Sequence, residues 1–119
     1  MRKGIIQAVG RQKAIAVIDL GKTNKKLMIY DLNLKLLEKE SVIISEIKRG
    51  GWICDDIPAV YEWIIEKLKR FNKKYEIAVI STTTFGATIV NLDKNGKLAT
   101  PVLSYMNDPG KNIAKEFYG

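Results

Sequence analysis

The fold of this chain is indicated most clearly by residues 17–26, VIDLGKTNKK, where an apolar run reaches an aspartate, a glycine turn and three lysines. The apolar run begins at Ala14 and is apolar at both alternating positions, which is typical of a strand covered on two faces. A second apolar run, residues 27–30, follows the turn, so the two runs predict a β-hairpin. Asp19 then lies at the carboxyl end of the first strand.

The segments after this hairpin predict a third strand and then a long helix. The strand falls within residues 36–47, and residues 48–52 end it. Asp55 and Asp56 open a helix over residues 57–74, because a carboxylate there can cap free amides. Three- and four-residue spacing predicts one buried stripe along the helix. Its members are Ile57, Val60, Tyr61, Ile64, Ile65, Leu68 and Phe71.

A fourth apolar strand, residues 77–80, follows the helix and is predicted to run parallel to the first, since a helical crossover precedes it. Polar residues 81–84 are expected to end it. The remaining segments predict a hairpin with arms 89–92 and 98–103, whose turn 93–96 takes positive backbone dihedrals from Asn-Gly, and then a short helix over 113–117.

The element order β-β-β-α-β plus a hairpin predicts a mixed sheet with helical cover, an α/β architecture. One long helix can cover only part of one face, so we expect an incomplete domain over residues 13–119, with residues 1–12 a disordered or weakly ordered lead-in. Because strands 14–18 and 77–80 need cover on both faces, we expect the chain alone to be marginally stable and to self-associate.

Composition excludes several classes of function. The chain has 119 residues, no histidine and one cysteine, Cys54, which rules out zinc sites and Ser-His or Cys-His nucleophile pairs within it. The single cysteine agrees with a reducing compartment, and no signal peptide or membrane-length apolar run is found, so we expect a cytoplasmic protein. The net charge of +7 is spread along the chain, which favours a lysine-solubilised surface over nucleic-acid binding.

The turn after the first strand is a candidate phosphate site. Successive backbone amides in a glycine turn form an anion-binding nest, and Thr23 and Asn24 can donate further hydrogen bonds. Lys22, Lys25 and Lys26 add positive charge, and Asp19 can hold Mg²⁺ through water. The alternative is an ordinary hairpin turn with a solvated lysine cluster.

Residues 19–26, followed by an apolar strand that ends in Asp31, resemble the first phosphate-binding hairpin of the FGGY family of carbohydrate kinases, which belongs to the actin and sugar kinase superfamily. Further segments resemble that family in the same order, most closely its rhamnulokinase and xylulokinase members. They are 51–55 (GWICD), 81–86 (STTTFG), 91–96 (NLDKNG) and 101–108 (PVLSYMND).

This resemblance implies an RNase H-like, actin-like ATPase sheet and transfer of the ATP γ-phosphoryl group to a hydroxyl of a monosaccharide or polyol, with ATP and Mg²⁺ as cofactors. It implies cofactor contacts from Asp19, Gly21, Lys22, Thr23, Asn24 and Lys26, with Asp19 holding the metal through water. It implies sugar contacts from Thr84, Phe85, Gly86 and Asp108. The catalytic base and the adenosine-binding domain are expected beyond Gly119, so we expect the chain alone to be inactive.

The chain departs from the family pattern at several positions, which leaves the sugar undetermined. Lys22 stands where many members have a small hydroxyl residue, and Thr84-Phe85 replaces the Met-His of xylulokinases or the Thr-Trp of rhamnulokinases. Tyr105 or Met106 replaces the usual tryptophan, and no arginine closely follows Asp108.

Simpler structural explanations exist for several of these residues. Phe85 can be a core aromatic, Asp108 a turn initiator, and Trp52 and Cys54 are expected to pack beneath the helix. The whole segment can be a non-catalytic actin-like scaffold or a basic nucleic-acid-binding domain, and a homodimer is one option for the parent protein.

Overall fold

The computed structural model describes residues 10–118, so the predicted lead-in falls largely outside the described residues. The elements are β1 (Lys13–Leu20), β2 (Asn24–Tyr30), β3 (Leu36–Ile43), β4 (Ile47–Arg49), β5 (Trp52–Cys54), α1 (Ile57–Lys74), β6 (Glu76–Thr84) and α2 (Lys111–Tyr118). In this part of the chain, neither helix is long and apolar enough to cross a membrane.

Four strands form the main sheet in the order β3-β2-β1-β6. β1 pairs antiparallel with β2 and parallel with β6, and β2 pairs antiparallel with β3. The predicted mixed sheet and its helical crossover are therefore confirmed. β1 is an interior strand, which agrees with its apolar run.

The glycine-rich segment between β3 and α1 forms a second, two-stranded sheet that the sequence reading missed. Residues 48–52 were expected only to end the third strand, and this is wrong. β4 and β5 pair antiparallel around Gly50 and Gly51, whose φ angles are 55° and 84°. Glycine adopts this left-handed conformation without a steric penalty, so the two residues reverse the chain within one tight turn.

Helix α1 covers one face of the main sheet as predicted. Its N-cap is Asp56, whose Oδ1 accepts a hydrogen bond from the Ala59 amide at 3.1 Å, and Pro58 lies in the first turn. The core beneath it contains Ala14, Ala16, Ile18, Leu27, Ile29, Phe71 and Tyr75. The alanines of β1 leave room for the helix, and Phe71 fills that room.

Two expectations about apolar packing near this helix are wrong. Tyr61 is 65% exposed, because it lies in the N-terminal part of α1 at the edge of a cavity, and Trp63 packs against the core instead. Cys54 is buried as expected, but Trp52, which follows the glycine turn at the start of β5, is 44% exposed.

β6 is longer and less covered than its sequence suggests. Residues 81–84 were expected to end the strand, but they continue it and pair with residues 17–20 of β1. Threonine is β-branched and suits a strand, and the ladder uses backbone groups only. Val79 and Ile80 are 52% and 54% exposed, so α1 leaves apolar surface of this strand uncovered.

The predicted hairpin after β6 forms a turn with irregular arms. One isolated bridge joins Leu92 to Leu98, and the Asp93 carboxylate accepts hydrogen bonds from the amides of Asn95 and Lys97. Positive φ angles were expected at Asn95 and Gly96. Gly96 has a φ of 75°, but φ is not positive at Asn95, so the expectation holds only for the glycine.

Candidate functional site

The carboxyl ends of β1 and β6 meet at one edge of the main sheet. Leu20 is in register with Thr84, and the Phe85 amide donates a hydrogen bond to the Leu20 carbonyl at 3.1 Å. The turn over residues 21–23 and the loop that begins at Phe85 therefore leave the sheet side by side. Ligands of open α/β sheets commonly bind at such an edge.

The turn after β1 requires glycine at position 21. A Cβ atom there would lie 2.6 Å from the carbonyl oxygen of Asn24, closer than real Cβ contacts allow. The Lys25 ammonium lies beneath the turn and donates to the Lys22 carbonyl at 2.7 Å. Lys25 is only 4% exposed, and this burial lowers its pKa. Lys25 thus fixes the turn from inside.

Asp19 and Lys26 lie on the face of the sheet opposite to α1. They are cross-strand partners, and their charged atoms are 3.4 Å apart. Both side chains remain partly exposed, at 31% and 41%. A carboxylate and an ammonium are therefore presented together at the end of an interior strand, open to a ligand.

The Lys22 ammonium lies in a cluster of acceptors contributed by segments distant in sequence. It is 2.5 Å from Glu46 Oε1, 2.7 Å from Asp55 Oδ1 and 2.9 Å from Ser104 Oγ. Ser104 in turn donates to Glu46 Oε1 at 2.5 Å. We refer to Lys22, Glu46, Asp55 and Ser104 as the Lys22 cluster.

The electrostatics of the Lys22 cluster favour the charged forms of Lys22 and Glu46. Burial alone would lower the pKa of Lys22, but hydrogen bonds to Asp55 and Glu46 outweigh it and the pKa is raised. The hydrogen bonds from Lys22 and Ser104 lower the pKa of Glu46. The ammonium is therefore paired and protonated at neutral pH.

Two aromatic rings flank the same ammonium. Phe85 and Tyr105 meet edge to face with their centroids 6.0 Å apart. The Lys22 nitrogen lies 5.4 Å from the Phe85 centroid and 5.1 Å from that of Tyr105, within cation–π range. Phe85 is half-buried, so it is neither a fully enclosed core residue nor a free surface ring.

The segment carrying Ser104 and Tyr105 is held against β5 by backbone hydrogen bonds. The Ser104 amide donates to the Ile53 carbonyl at 3.0 Å, and the Asp55 amide donates to the Val102 carbonyl at 2.9 Å. The Asn107 side chain accepts from the Ile53 amide and donates to the Ile53 carbonyl. The small second sheet thus positions the aromatic segment beside the turn.

A cavity of about 310 Å³ lies between α1 and the loop after β6. Its wall includes Thr84 and Phe85 together with apolar side chains of α1. Within the described part of the chain, Asp55 Oδ2 and Thr88 Oγ1 are buried polar atoms without a hydrogen-bond partner, and both residues line this cavity.

The predicted cofactor residues divide between two sides of the sheet edge. Asp19 and Lys26 lie on the open face, while the Lys22 ammonium lies in its cluster on the side of Asp55. Thr23 and Asn24 are exposed at the turn. The structure therefore places the predicted cofactor residues in one hairpin. The charged groups of Asp19 and Lys26 lie on the open face, whereas that of Lys22 lies beside Asp55.

The predicted sugar residues also differ in setting. Thr84 and Gly86 are exposed next to Phe85. Asp108 is exposed and its Oδ1 accepts a hydrogen bond from the Gly110 amide at 2.8 Å, so it does initiate a turn.

Glu46, Asp55 and Ser104 were not singled out by the sequence reading as members of a site. The sequence did contain one signal for Asp55. Two adjacent carboxylates precede α1, although a helix needs only one as its N-cap. Asp56 is that cap, which leaves Asp55 for Lys22. Glu46 and Ser104 carry no comparable signal, since only the tertiary fold brings them to the turn.

The residue set fits a metal held largely by water and ligand oxygens. Among residues 10–118, no group of three or more metal-ligating side chains is found. Asp19 offers one partly exposed carboxylate, and Mg²⁺ commonly binds through one or two carboxylates, several waters and substrate phosphates.

Comparison with known proteins gives a consistent result at the level of structure. Neither a family model nor a curated protein matches the chain. A carbohydrate kinase from Novosphingobium aromaticivorans superposes with a TM-score of 0.84 at 27% identity, over 92% of this chain and 23% of that one.

Two further solved structures share this fold at lower identity. Gluconate kinase from Lactobacillus acidophilus has a TM-score of 0.75 at 23% identity, over 89% of this chain and 22% of that one. Glycerol kinase from Plasmodium falciparum, solved with ADP, has a TM-score of 0.67 at 20% identity, over 91% of this chain and 23% of that one.

These similarities confirm the resemblance to a carbohydrate kinase and the actin-like ATPase fold as a small, incomplete domain. The chain spans less than a quarter of the length of the kinases that it matches.

Proposed function

We propose that this chain is the N-terminal portion of an ATP-dependent carbohydrate kinase that transfers the γ-phosphoryl group to a hydroxyl of a sugar or polyol. The observation that carries this proposal is the juxtaposition of the glycine turn with the loop after β6. The Phe85 amide bonds to the Leu20 carbonyl, so a phosphate donor at the turn and an acceptor at Phe85 would be neighbours. Phosphoryl transfer needs mainly such positioning and charge neutralisation.

We assign phosphate binding to the backbone amides of the turn and to Lys26. The amides of Gly21, Thr23 and Asn24 would contact phosphate oxygens, and Lys26 would supply positive charge. Gly21 is suited to this because its position leaves no room for a side chain. Lys22 would contribute through its backbone, since two carboxylates and a hydroxyl already hold its ammonium.

We assign the metal to Asp19. Its partly exposed carboxylate would hold Mg²⁺ through water beside the phosphates. When bound, the ion neutralises charge that develops on the transferring phosphoryl group. The Lys26 ammonium, 3.4 Å from the Asp19 carboxylate, holds that side chain on the open face.

We assign the sugar to the loop after β6. Thr84 and Gly86 offer polar groups on either side of Phe85, whose ring gives an apolar surface against Tyr105. Asp108 uses Oδ1 in its own turn, and we assign its other carboxylate oxygen to a sugar hydroxyl.

We propose that the chain alone is inactive and self-associates, and that the whole protein works in the cytoplasm. We expect the catalytic base and the adenosine-binding domain beyond Gly119, as the resemblance implies. Val79 on the open face and Ile80 on the α1 face are both half-exposed, so apolar surface is left on each side of β6 for a second copy. Sedimentation of the 119-residue chain over a dilution series would show a monomer at every concentration if this view is incorrect.

The proposed function can be tested on the full-length product of the encoding gene. We expect ADP release that depends on one or more members of a panel of pentoses, hexoses, 6-deoxyhexoses and polyols, and none from the 119-residue chain. A folded full-length protein that binds ATP but releases no ADP with any of them would favour the non-catalytic scaffold.

A matched pair of variants sharpens this test. Asp31→Asn is the control, because Asp31 Oδ1 only accepts amide hydrogen bonds within the β2–β3 turn and asparagine can replace it there. Asp19→Asn should reduce turnover by about 100-fold, whereas the control should remain near the parent value.

A further inference from the structure

The Lys22 side chain joins the turn over residues 21–23 to several segments that are distant in sequence. A residue that only formed the turn would not need these contacts. Its ammonium contacts Asp55, which lies 33 residues away, and Ser104, which lies 82 residues away, in addition to Glu46. The same nitrogen lies over the rings of Phe85 and Tyr105. One side chain therefore joins the turn to four other segments of the chain.

The cluster depends on the ammonium because its members are poorly solvated. The side chains of Lys22 and Asp55 are 18% and 9% exposed, and that of Glu46 is 33% exposed. Without the ammonium, two carboxylates would face one another in a partly dry space, which is strongly unfavourable. The segments carrying Glu46 and Asp55 would then have to move apart, and Ser104 would lose a partner with them.

A direct phosphate contact by the ammonium fits this geometry poorly. To reach a phosphate, the nitrogen would have to leave hydrogen bonds with Asp55, Glu46 and Ser104. Lys26 lies on the open face, where the one polar contact of its ammonium among the described residues is with Asp19 at 3.4 Å, and it can supply the charge at the cost of that single contact.

We propose that Lys22 is a positioning residue, which fixes Phe85 and Tyr105 relative to the glycine turn and so aligns the sugar with the phosphoryl donor. This role rests on the proposed kinase function and adds to it the residue that sets the alignment. The Lys22 ammonium acts through the aromatic pair and Ser104, and the phosphates are bound by other groups of the turn.

The test uses full-length protein and a Lys22→Met variant, which keeps much of the side chain's length and removes the charge. We expect kcat to fall about 10- to 100-fold, because misplacement of about 1 Å can have an effect of that size. ADP affinity should stay within about threefold of the parent, since the phosphate ligands are retained. Lys22→Arg, which keeps a cation in the cluster, should recover part of the lost kcat.

The matched control is Lys67→Met. Lys67 is 17% exposed and also pairs with two carboxylates, Glu40 and Glu66, but it lies on α1 away from the turn. This variant should retain the parent kcat, so a shared loss of kcat in both lysine variants would overturn the positioning role.

A triple variant, Lys22→Met with Glu46→Gln and Asp55→Asn, separates alignment from charge compensation. We expect it to recover the melting temperature that Lys22→Met loses while kcat stays low. Recovery of both would show that the ammonium only neutralises the carboxylates, and would overturn the proposal. If Lys22→Met alone does not fold, the triple variant still allows kcat to be measured in the absence of the ammonium.

Two further outcomes identify which hypothesis fails. A loss of ADP affinity of tenfold or more in Lys22→Met, with kcat preserved at saturating ATP, would make Lys22 a phosphate ligand and overturn the positioning role. Unchanged kcat in Lys22→Met with an active parent would likewise overturn the positioning role alone. A folded parent that phosphorylates no sugar would instead reject the proposed function.

Discussion

The two faces of β1 have opposite characters although they belong to one strand. Ala14, Ala16 and Ile18 are buried beneath α1, while the residues between them are half-exposed and lead to Asp19 on the other face. The sequence of this strand is apolar on both faces, but α1 covers only one. The covered face stabilises the fold, and the open face carries the charged residues that we assign to ATP and Mg²⁺.

The largest effect on stability should come from the covered face. Phe71→Ala removes a ring that is 2% exposed, and we expect about 3–5 kcal/mol less free energy of unfolding. Urea unfolding of the 119-residue chain, followed by the fluorescence of Trp63 and Trp52, would measure it. At concentrations where sedimentation shows a monomer, Val79→Ala on the open side should change that free energy by less than about 0.5 kcal/mol. Equal losses in the two variants at those concentrations would mean that other residues of the same chain cover Val79.

The turn beside the open face should be sensitive to a single methyl group. In Gly21→Ala the new Cβ would meet the Asn24 carbonyl oxygen at 2.6 Å, so the turn must open. We expect a loss of about 1–3 kcal/mol in ADP binding by the full-length protein, measured by calorimetry. Gly10→Ala, where nothing lies within 4 Å, is the control. Equal ADP affinity of both variants would remove the turn from the phosphate site.

A substitution of Phe85 tests whether its ring contacts the sugar or only packs against its neighbours. Its edge-to-face contact with Tyr105 is worth about 0.5–1.5 kcal/mol, so Phe85→Ala should be tolerated by the fold. We expect the ranking of sugar substrates, expressed as kcat/KM, to change by about tenfold. A large fall in melting temperature with an unchanged ranking would instead support the core-packing role.

The smallest effect concerns pH. Hydrogen bonds from Lys22 and Ser104 lower the pKa of Glu46 in the folded state. A carboxylate with a lowered pKa stabilises the fold above its unfolded pKa of about 4.3, and this contribution is lost as pH falls through the folded value. Parent and Glu46→Gln should therefore differ more in melting temperature at neutral pH than at pH 3. A constant difference would show that the Glu46 charge contributes nothing.

Much of the fold could be predicted because the signals are local. The apolar runs of β1 and β2 and the apolar spacing of α1 determine strands and helix directly, and the crossover rule makes β6 parallel. The β4–β5 hairpin was missed because its strands have three residues each, too short for any periodicity. Tyr61 was misassigned because helical spacing does not reveal where the sheet beneath the helix ends.

The site was less predictable because its contacts span distant segments. The glycine turn and its lysines are contiguous in sequence, so they could be recognised together. Which lysine faces which side follows from strand alternation and from Glu46, Asp55 and Ser104, which only folding brings near Lys22.

The central proposal is that the open edge of the sheet holds the phosphoryl donor and its metal, and Asp19→Ala in the full-length protein tests it most directly. Turnover with the best sugar substrate should fall about 100-fold or more, because the residue assigned to the metal is removed. Sugar affinity, measured by calorimetry without nucleotide, should stay within about twofold of the parent, since Phe85 and its neighbours are untouched. Turnover equal to that of the parent would contradict the assignment of this edge to phosphoryl transfer.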